Sequence, residues 1–211
     1  VFVGNPICND YIDISINKKK EFIALLPGSR LSEINSLLPY YKTLSDYINI
    51  AYPEYTIFIP TLSHLKNTLK KLIIDWNIKP IIVDDKKEIS EYLSKCKISI
   101  VCSGTATLEI LIKKIPIIVT YKLNILTEIF FSLFVKTNFA NIINIIAKNE
   151  IIPELINHNL TKKRSVKNFD LLFNSENLQE KQILESQRII KSLCLKNNNS
   201  LNACNEILKI I

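Results

Sequence analysis

The chain has 211 residues, 47% of them hydrophobic and 22% charged, with a formal net charge of +7. That apolar content excludes disorder along the whole length and supplies the core of one large domain or two small ones. The positive charge is spread as lysines over predicted helix faces and loops with no aromatic-studded basic stripe, so nucleic acid is a poor partner. An anionic membrane surface or a phosphorylated lipid is a better one.

Residues 22–26 form a continuous apolar run stopped by Pro27-Gly28-Ser29, after which Ile34, Leu37, Leu38, Tyr41 and Leu44 recur at helical spacing. The unit strand, loop, helix then repeats. Residues 56–60 read as a strand followed by a helix over about 65–76, and residues 80–83 as a strand followed by a helix over 88–95. The strand at 97–102, the helix at 105–114 and the strand at 116–120 complete the series. Such strands, apolar on both faces and separated by helices, predict an α/β fold with a doubly wound parallel sheet of five strands. Beyond Tyr121 the pattern turns helical and less regular. Residues 141–146 and 153–156 are short apolar segments, and helices are predicted over 177–193 and 200–211, with Ser200 as a ready N-cap. Phe130, Phe131, Leu133 and Phe134 fall within a few residues and read as a helix packed on the sheet, with a membrane-interface face as the competing reading.

The five cysteines, Cys8, Cys96, Cys102, Cys194 and Cys204, have neither CxxC spacing nor the density of a secreted scaffold, which reads as an intracellular, reduced chain. No signal peptide is visible, and the strongest apolar run, 129–135, is too short to span a bilayer. The sequence contains no methionine, even at Val1, and so reads as part of a longer polypeptide.

Two loops carry chemistry. Ser103-Gly104-Thr105-Ala106-Thr107 follows a buried-strand pattern and opens a helix, a context in which small residues let backbone N–H groups approach a phosphate. Glu109 lies about one helical turn further in, where a carboxylate can accept hydrogen bonds from the vicinal hydroxyls of a ribose. The second loop, Pro27-Gly28-Ser29-Arg30, ends the first strand three residues before Glu33. In an open α/β sheet both loops lie at the carboxyl ends of strands and could face one crevice. Gly28 would permit close approach, Ser29 could donate to a phosphate oxygen and Arg30 could neutralise a departing diphosphate. The bland alternative is a Pro-Gly turn feeding a helix capped by Ser29 or Ser32. No Asp-x-Asp motif is present, and His64 and His158 lack paired ligand spacing, so no metal is expected.

Several stretches, taken in order and spacing, resemble the carboxyl-terminal half of the lipid-A-disaccharide synthases. They are Val3-Gly4-Asn5-Pro6, then Leu25-Leu26-Pro27-Gly28-Ser29-Arg30-Leu31-Ser32-Glu33-Ile34 with Leu37-Leu38-Pro39, and Cys102-Ser103-Gly104-Thr105-Ala106-Thr107-Leu108-Glu109. Pro116-Ile117-Ile118-Val119-Thr120-Tyr121-Lys122, Leu133-Phe134-Val135-Lys136-Thr137 and Asn144-Ile145-Ile146-Ala147 extend the likeness to about residue 155. The resemblance implies a Rossmann-like donor lobe of a two-lobed GT-B glycosyltransferase over residues 1–165, with a helical tail over 166–211 packing on this lobe or on an amino-terminal one. It implies transfer of 2,3-diacylglucosamine from UDP-2,3-diacylglucosamine to the 6-hydroxyl of 2,3-diacylglucosamine 1-phosphate, with inversion and release of UDP. Carried over by position, Gly28, Ser29 and Arg30 match the donor-diphosphate loop, and Glu33 is counted with them as a substrate-binding residue. Ser103, Gly104, Thr105, Ala106 and Thr107 match the second nucleotide loop, Glu109 the ribose ligand and Asn144 an asparagine near the donor.

Arg30 is then the leaving-group stabiliser, no metal or other cofactor is needed, and the general base lies outside this chain, in an amino-terminal acceptor lobe. The implied setting is cytoplasmic and peripheral to the inner membrane of a Gram-negative bacterium, and a homodimer is admissible. Three positions depart from the family pattern: Asn5 stands for a usual histidine, Ile143 for a proline and Lys148 for a glycine. The alternatives are a non-catalytic UDP-binding remnant or stand-alone lobe, and a GT-B UDP-sugar epimerase, which fits the nucleotide site but not the lipid-enzyme motifs.

Overall fold

The computed structural model describes residues 20–122 and 139–193. The expectations for Gly4, Asn5, residues 123–135 and residues 197–211 lie outside the described residues.

Apolar runs with side chains on both faces need cover on both sides, and the sheet receives it. Its strands are β1 (Phe22–Leu26), β2 (Thr56–Pro60), β3 (Ile81–Val83), β4 (Cys96–Cys102), β5 (Ile117–Tyr121) and β6 (Glu154–Ile156). They lie in the order β3-β2-β1-β4-β5-β6, every pair parallel. The helices are α1 (Leu31–Ala51), α2 (Ser63–Leu72), α3 (Lys86–Ser94), α4 (Thr105–Ile112), α5 (Ile142–Ala147), α6 (Lys162–Phe173) and α7 (Glu176–Leu193).

Alternation along each strand divides the core in two. Ile23 and Leu25, Ile57 and Ile59, and Ile98 and Ile100 point to one face, where Ile34, Leu37 and Leu44 of α1, Leu69 of α2 and Phe169 of α6 cover them. Ala24, Phe58, Val101, Ile117 and Val119 point to the other, under Leu93 of α3, Leu108 and Leu111 of α4, Ile143 of α5 and Ile190 of α7. The doubly wound parallel sheet is thus as expected, with one strand more than predicted. Residues 153–156, read as a stray apolar segment, include β6, a three-residue strand on the edge beside β5.

The carboxyl-terminal helices are tied to the sheet by polar contacts as well as packing. The Gln182 side chain brackets Ile117 like a neighbouring strand, accepting from its N–H at 2.7 Å and donating to its carbonyl at 3.0 Å. Gln187 donates to the Leu111 carbonyl at 2.7 Å. Helix α6, which spans residue 165, was not foreseen from the sequence. It is clamped to α1 through Asp170, whose carboxylate accepts from the hydroxyls of Tyr47 and Tyr52 and from the Asn174 amide. These donors hold the Asp170 carboxyl below the usual carboxylate range. Helix α2 stops at Leu72 rather than near residue 76, yet Ile73 and Trp76 still bury their side chains against the same core.

Candidate functional site

Strands β1 and β4 are neighbours, with Leu26 opposite Val101, so the loops that leave their carboxyl ends stand side by side. Between them lies a cleft of about 490 Å³ whose walls include Gly28, Ser29, Arg30 and Glu33 from one loop and Ser103, Gly104, Thr105, Ala106 and Glu109 from the other. Pro60 at the end of β2, Thr61 and Leu62 after it, and Ile89 and Leu93 of α3 close the side toward β3 with mostly apolar surface. Among the described residues no group of three or more His, Cys, Asp and Glu is placed to hold a metal ion.

The cleft rests on a buried polar network. The Tyr41 hydroxyl shares a 2.8 Å hydrogen bond with Thr120 Oγ1 and donates toward the Leu26 carbonyl at 3.2 Å, joining α1 to the carboxyl ends of β1 and β5. Burial raises the Tyr41 phenol well beyond its ordinary range, so it stays a protonated donor. From the sequence Tyr41 reads only as one more apolar position at helical spacing. A hydroxyl that had to be satisfied at the core edge was the available signal.

The β1–α1 loop turns at Gly28, with φ of +105°. Arg30 is the N-cap of α1, and the capping side chain comes from inside the helix rather than from Ser29 or Ser32. Glu33 Oε2 accepts from the N–H groups of Ser29 at 3.1 Å and Arg30 at 3.3 Å, and Glu33 Oε1 accepts from Arg30 Nη1 at 2.9 Å. The β4–α4 loop differs. Gly104, the N-cap of α4, has no side chain to offer, so among the described residues the start of this helix has no side-chain cap. Glu109 is exposed on the α4 face that lines the cleft.

Two residues expected at the site are elsewhere. Thr107 is 1% exposed, turned into the core beside Leu108, and its hydroxyl has no hydrogen-bond partner among the described residues. Asn144 is fully buried outside the cleft lining and spends its whole amide on the chain around it. Its Nδ2 donates to the Ile152 carbonyl and to Glu154 Oε1, both at 2.8 Å, and its Oδ1 accepts from the N–H groups of Ile151 and Ile152 at 2.9 Å. Glu154 in turn accepts from the N–H groups of Ala140 and Asn141, and Ser103 Oγ donates to the Ala140 carbonyl at 3.4 Å. Asn144 therefore braces the segment that touches the second loop. Ile143 is buried in the core and Lys148 takes a left-handed conformation with φ of 54°, the geometry that a glycine would favour.

Cys102 also lines the cleft, but burial pushes its thiol up to about 12, and that of Cys96 up to about 11. Both are therefore protonated at neutral pH and are poor nucleophiles. Iodoacetamide at pH 8 is expected to leave Cys96 and Cys102 unmodified in the folded chain and to label them after denaturation, read by peptide mass mapping. Labelling of native Cys102 would show a thiolate-supporting site instead.

A six-stranded parallel sheet with helices on both faces and a cleft at the carboxyl ends of its central strands is a doubly wound α/β fold, the fold of the lobes of GT-B glycosyltransferases. Solved structures with that fold superimpose on it. The spinosyn rhamnosyltransferase SpnG complexed with thymidine diphosphate matches with a TM-score of 0.58 at 12% identity, covering 91% of this chain and 46% of that one. A TarM mutant of S. aureus in complex with fondaparinux, α-GlcNAc-glycerol and UDP gives 0.56 at 14% identity, covering 91% and 37%. Residues 8–208 match the family described as lipid-A-disaccharide synthetase, and the chain belongs to that family. The lipid-A-disaccharide synthase of Gluconobacter oxydans is 30% identical over 171 residues, 81% of this chain and 41% of the relative. That of Rickettsia canadensis is 30% identical over 207 residues, 93% and 53%. The family is thus one of hexosyltransferases, and this chain spans about half the length of the curated relatives that it matches.

Proposed function

We propose that this chain is the donor-binding half of a lipid-A-disaccharide synthase. The supporting observation is the convergence of Gly28, Ser29, Arg30, Ser103, Gly104, Thr105, Ala106 and Glu109 on one cleft in a chain of that family. In this reading UDP-2,3-diacylglucosamine is the donor, its diphosphate lying between the two loops and its ribose on Glu109. The SpnG complex with thymidine diphosphate and the TarM complex with UDP lend support from the same fold.

The 6-hydroxyl of 2,3-diacylglucosamine 1-phosphate attacks the anomeric carbon from the face opposite the diphosphate. The new C–O bond forms as the bond to UDP breaks, and the electron pair leaves with UDP. Negative charge grows on the leaving diphosphate, where Arg30, loop N–H groups and the start of α4 can stabilise it electrostatically without a metal. The hydroxyl proton passes to a base on the amino-terminal acceptor lobe, on the same or a separate polypeptide. In this reading the donor lobe, residues 1–165, and its tail, 166–211, are continuous, because α6 runs through residue 165 and packs on α1. The enzyme works at the cytoplasmic surface of the inner membrane, since both sugars carry acyl chains. No described helix is long and apolar enough to cross a membrane.

Calorimetric titration of the chain with UDP in metal-free buffer tests this reading. Saturable binding is expected, weakened about tenfold by Arg30→Ala and by Glu109→Ala, each of which removes a charge-assisted contact. Absence of UDP binding by the folded chain would overturn it. Binding without transfer after reconstitution with an acceptor lobe would favour the non-catalytic remnant.

A further inference from the structure

We infer that the Glu33 carboxylate holds the place of a donor phosphate oxygen in the loop between β1 and α1, and must swing away when a nucleoside diphosphate binds. The inference rests on the proposed donor site and assigns Glu33 a role opposite to that of a ligand-binding residue. An anion already occupies this loop. Glu33 Oε2 receives the Ser29 and Arg30 N–H groups, the donors that a phosphate oxygen would use at the start of α1. The other oxygen holds Arg30 Nη1 at 2.9 Å.

The carboxylate also fills the space that Gly28 leaves open. A Cβ on that residue would stand 2.3 Å from Oε2. The pocket created by the missing side chain is therefore occupied by a group of this chain. The Glu33 side chain is only 14% exposed, whereas that of Arg30 is 76% exposed, so the carboxylate is the inner partner of the pair. Two anions cannot share the same pair of N–H groups, because like charges at hydrogen-bonding distance repel and each donor has one proton to give. Diphosphate binding on this loop thus requires Glu33 to leave. Its departure frees the guanidinium, so Arg30 becomes available to the diphosphate only when the diphosphate has displaced Glu33.

Three roles for Glu33 make different predictions for Glu33→Gln. If the carboxylate is a placeholder, removing its charge weakens its hold on the loop, and UDP binds about tenfold tighter than to the unaltered chain. A pure helix cap would lower the melting temperature and leave UDP affinity unchanged. A residue that binds the donor would lose affinity when altered. Glu33→Asp, which keeps the charge on a shorter stem, is a second variant and is also expected to tighten binding. NMR adds a readout that capping alone would not move: saturation with UDP should shift the Ser29 and Arg30 amides in both forms, while the Glu33 side-chain resonances move only in the unaltered chain that has a carboxylate to displace.

Unaltered chain that binds UDP, with variants that bind no tighter, would overturn the placeholder role alone. Failure of the unaltered chain and of both variants to bind UDP would overturn the donor site and the placeholder together. Tighter binding by both variants supports the inference.

Discussion

Gly104→Val is expected to weaken UDP binding about a hundredfold while the chain stays folded. At Gly104 φ is 164°, an extended conformation that any residue adopts, and nothing lies within 4 Å of where a Cβ would stand. The protein itself therefore has no use for a glycine at this position. The residue faces the cleft at the uncapped start of α4, so a branched side chain there would fill space that a diphosphate must enter. Lengthening two charge-assisted hydrogen bonds worth about 1.5 kcal/mol each corresponds to about a hundredfold in affinity. The loss of a glycine N-cap costs about 1 kcal/mol at most, a fall of roughly 2–4 °C in melting temperature. Calorimetry beside a thermal melt checks both halves. Unaltered UDP affinity would place the diphosphate away from this loop.

Gly28→Ala should behave in the opposite way, with its principal loss in stability. Here φ is +105°, a region that side chains rarely adopt, and the added Cβ would meet Glu33 Cβ at 2.9 Å as well as Glu33 Oε2 at 2.3 Å. The carboxylate end could rotate off, but Glu33 Cβ is fixed to the first turn of α1 and cannot move without the helix. Backbone strain and displacement of the cap together are expected to cost about 2–4 kcal/mol, lowering the melting temperature by roughly 5–15 °C. A melt within a degree or two of the unaltered chain would mean that the loop rebuilds around alanine. The pair separates two uses of glycine that look alike in the sequence: Gly28 serves the backbone, and Gly104 leaves open the room that the proposed diphosphate needs.

The strands were legible because burial on both faces writes itself as uninterrupted apolar runs. Residues 22–26 and 56–60 stand in the structure with the bounds read from the sequence, and 97–102 lengthens only by Cys96. Strand β6 was not legible. Three residues carry no period, and Glu154 is there to hold the Ala140 and Asn141 N–H groups, which breaks the apolar signal. Helix α6 opens on Lys162, Lys163 and Arg164, and its apolar face is short and dispersed, so it passed for irregular chain.

At the site, the two loops and Glu109 could be placed together because strand order in an open α/β sheet puts their ends on one rim. Thr107 could not be placed, because it belongs to the loop by composition and to the helix by geometry. Two residues beyond Thr105, the turn of α4 has rotated its hydroxyl into the core. Asn144 carries no orientation in sequence, and its four hydrogen bonds depend on how residues 150–154 fold back across it. The Glu33 contact needed the curl of the loop at Gly28, which is tertiary detail on a local scale.

The adjacency of β1 and β4 also bears on how the chain comes off the ribosome. Strand β2 can join one edge of β1, and β3 can join β2, as soon as each emerges, but the other edge of β1 waits for β4, pairing Ala24 with Ser99 and Leu26 with Val101. Until then a hydrogen-bonding edge of a central strand is open, the condition under which nascent sheets recruit wrong partners. A nucleotide straddling the loops after β1 and β4 would act as a staple across that late-closing seam. The backbone amides of β1 and β4 should then be the ones whose solvent exchange slows most when UDP is present.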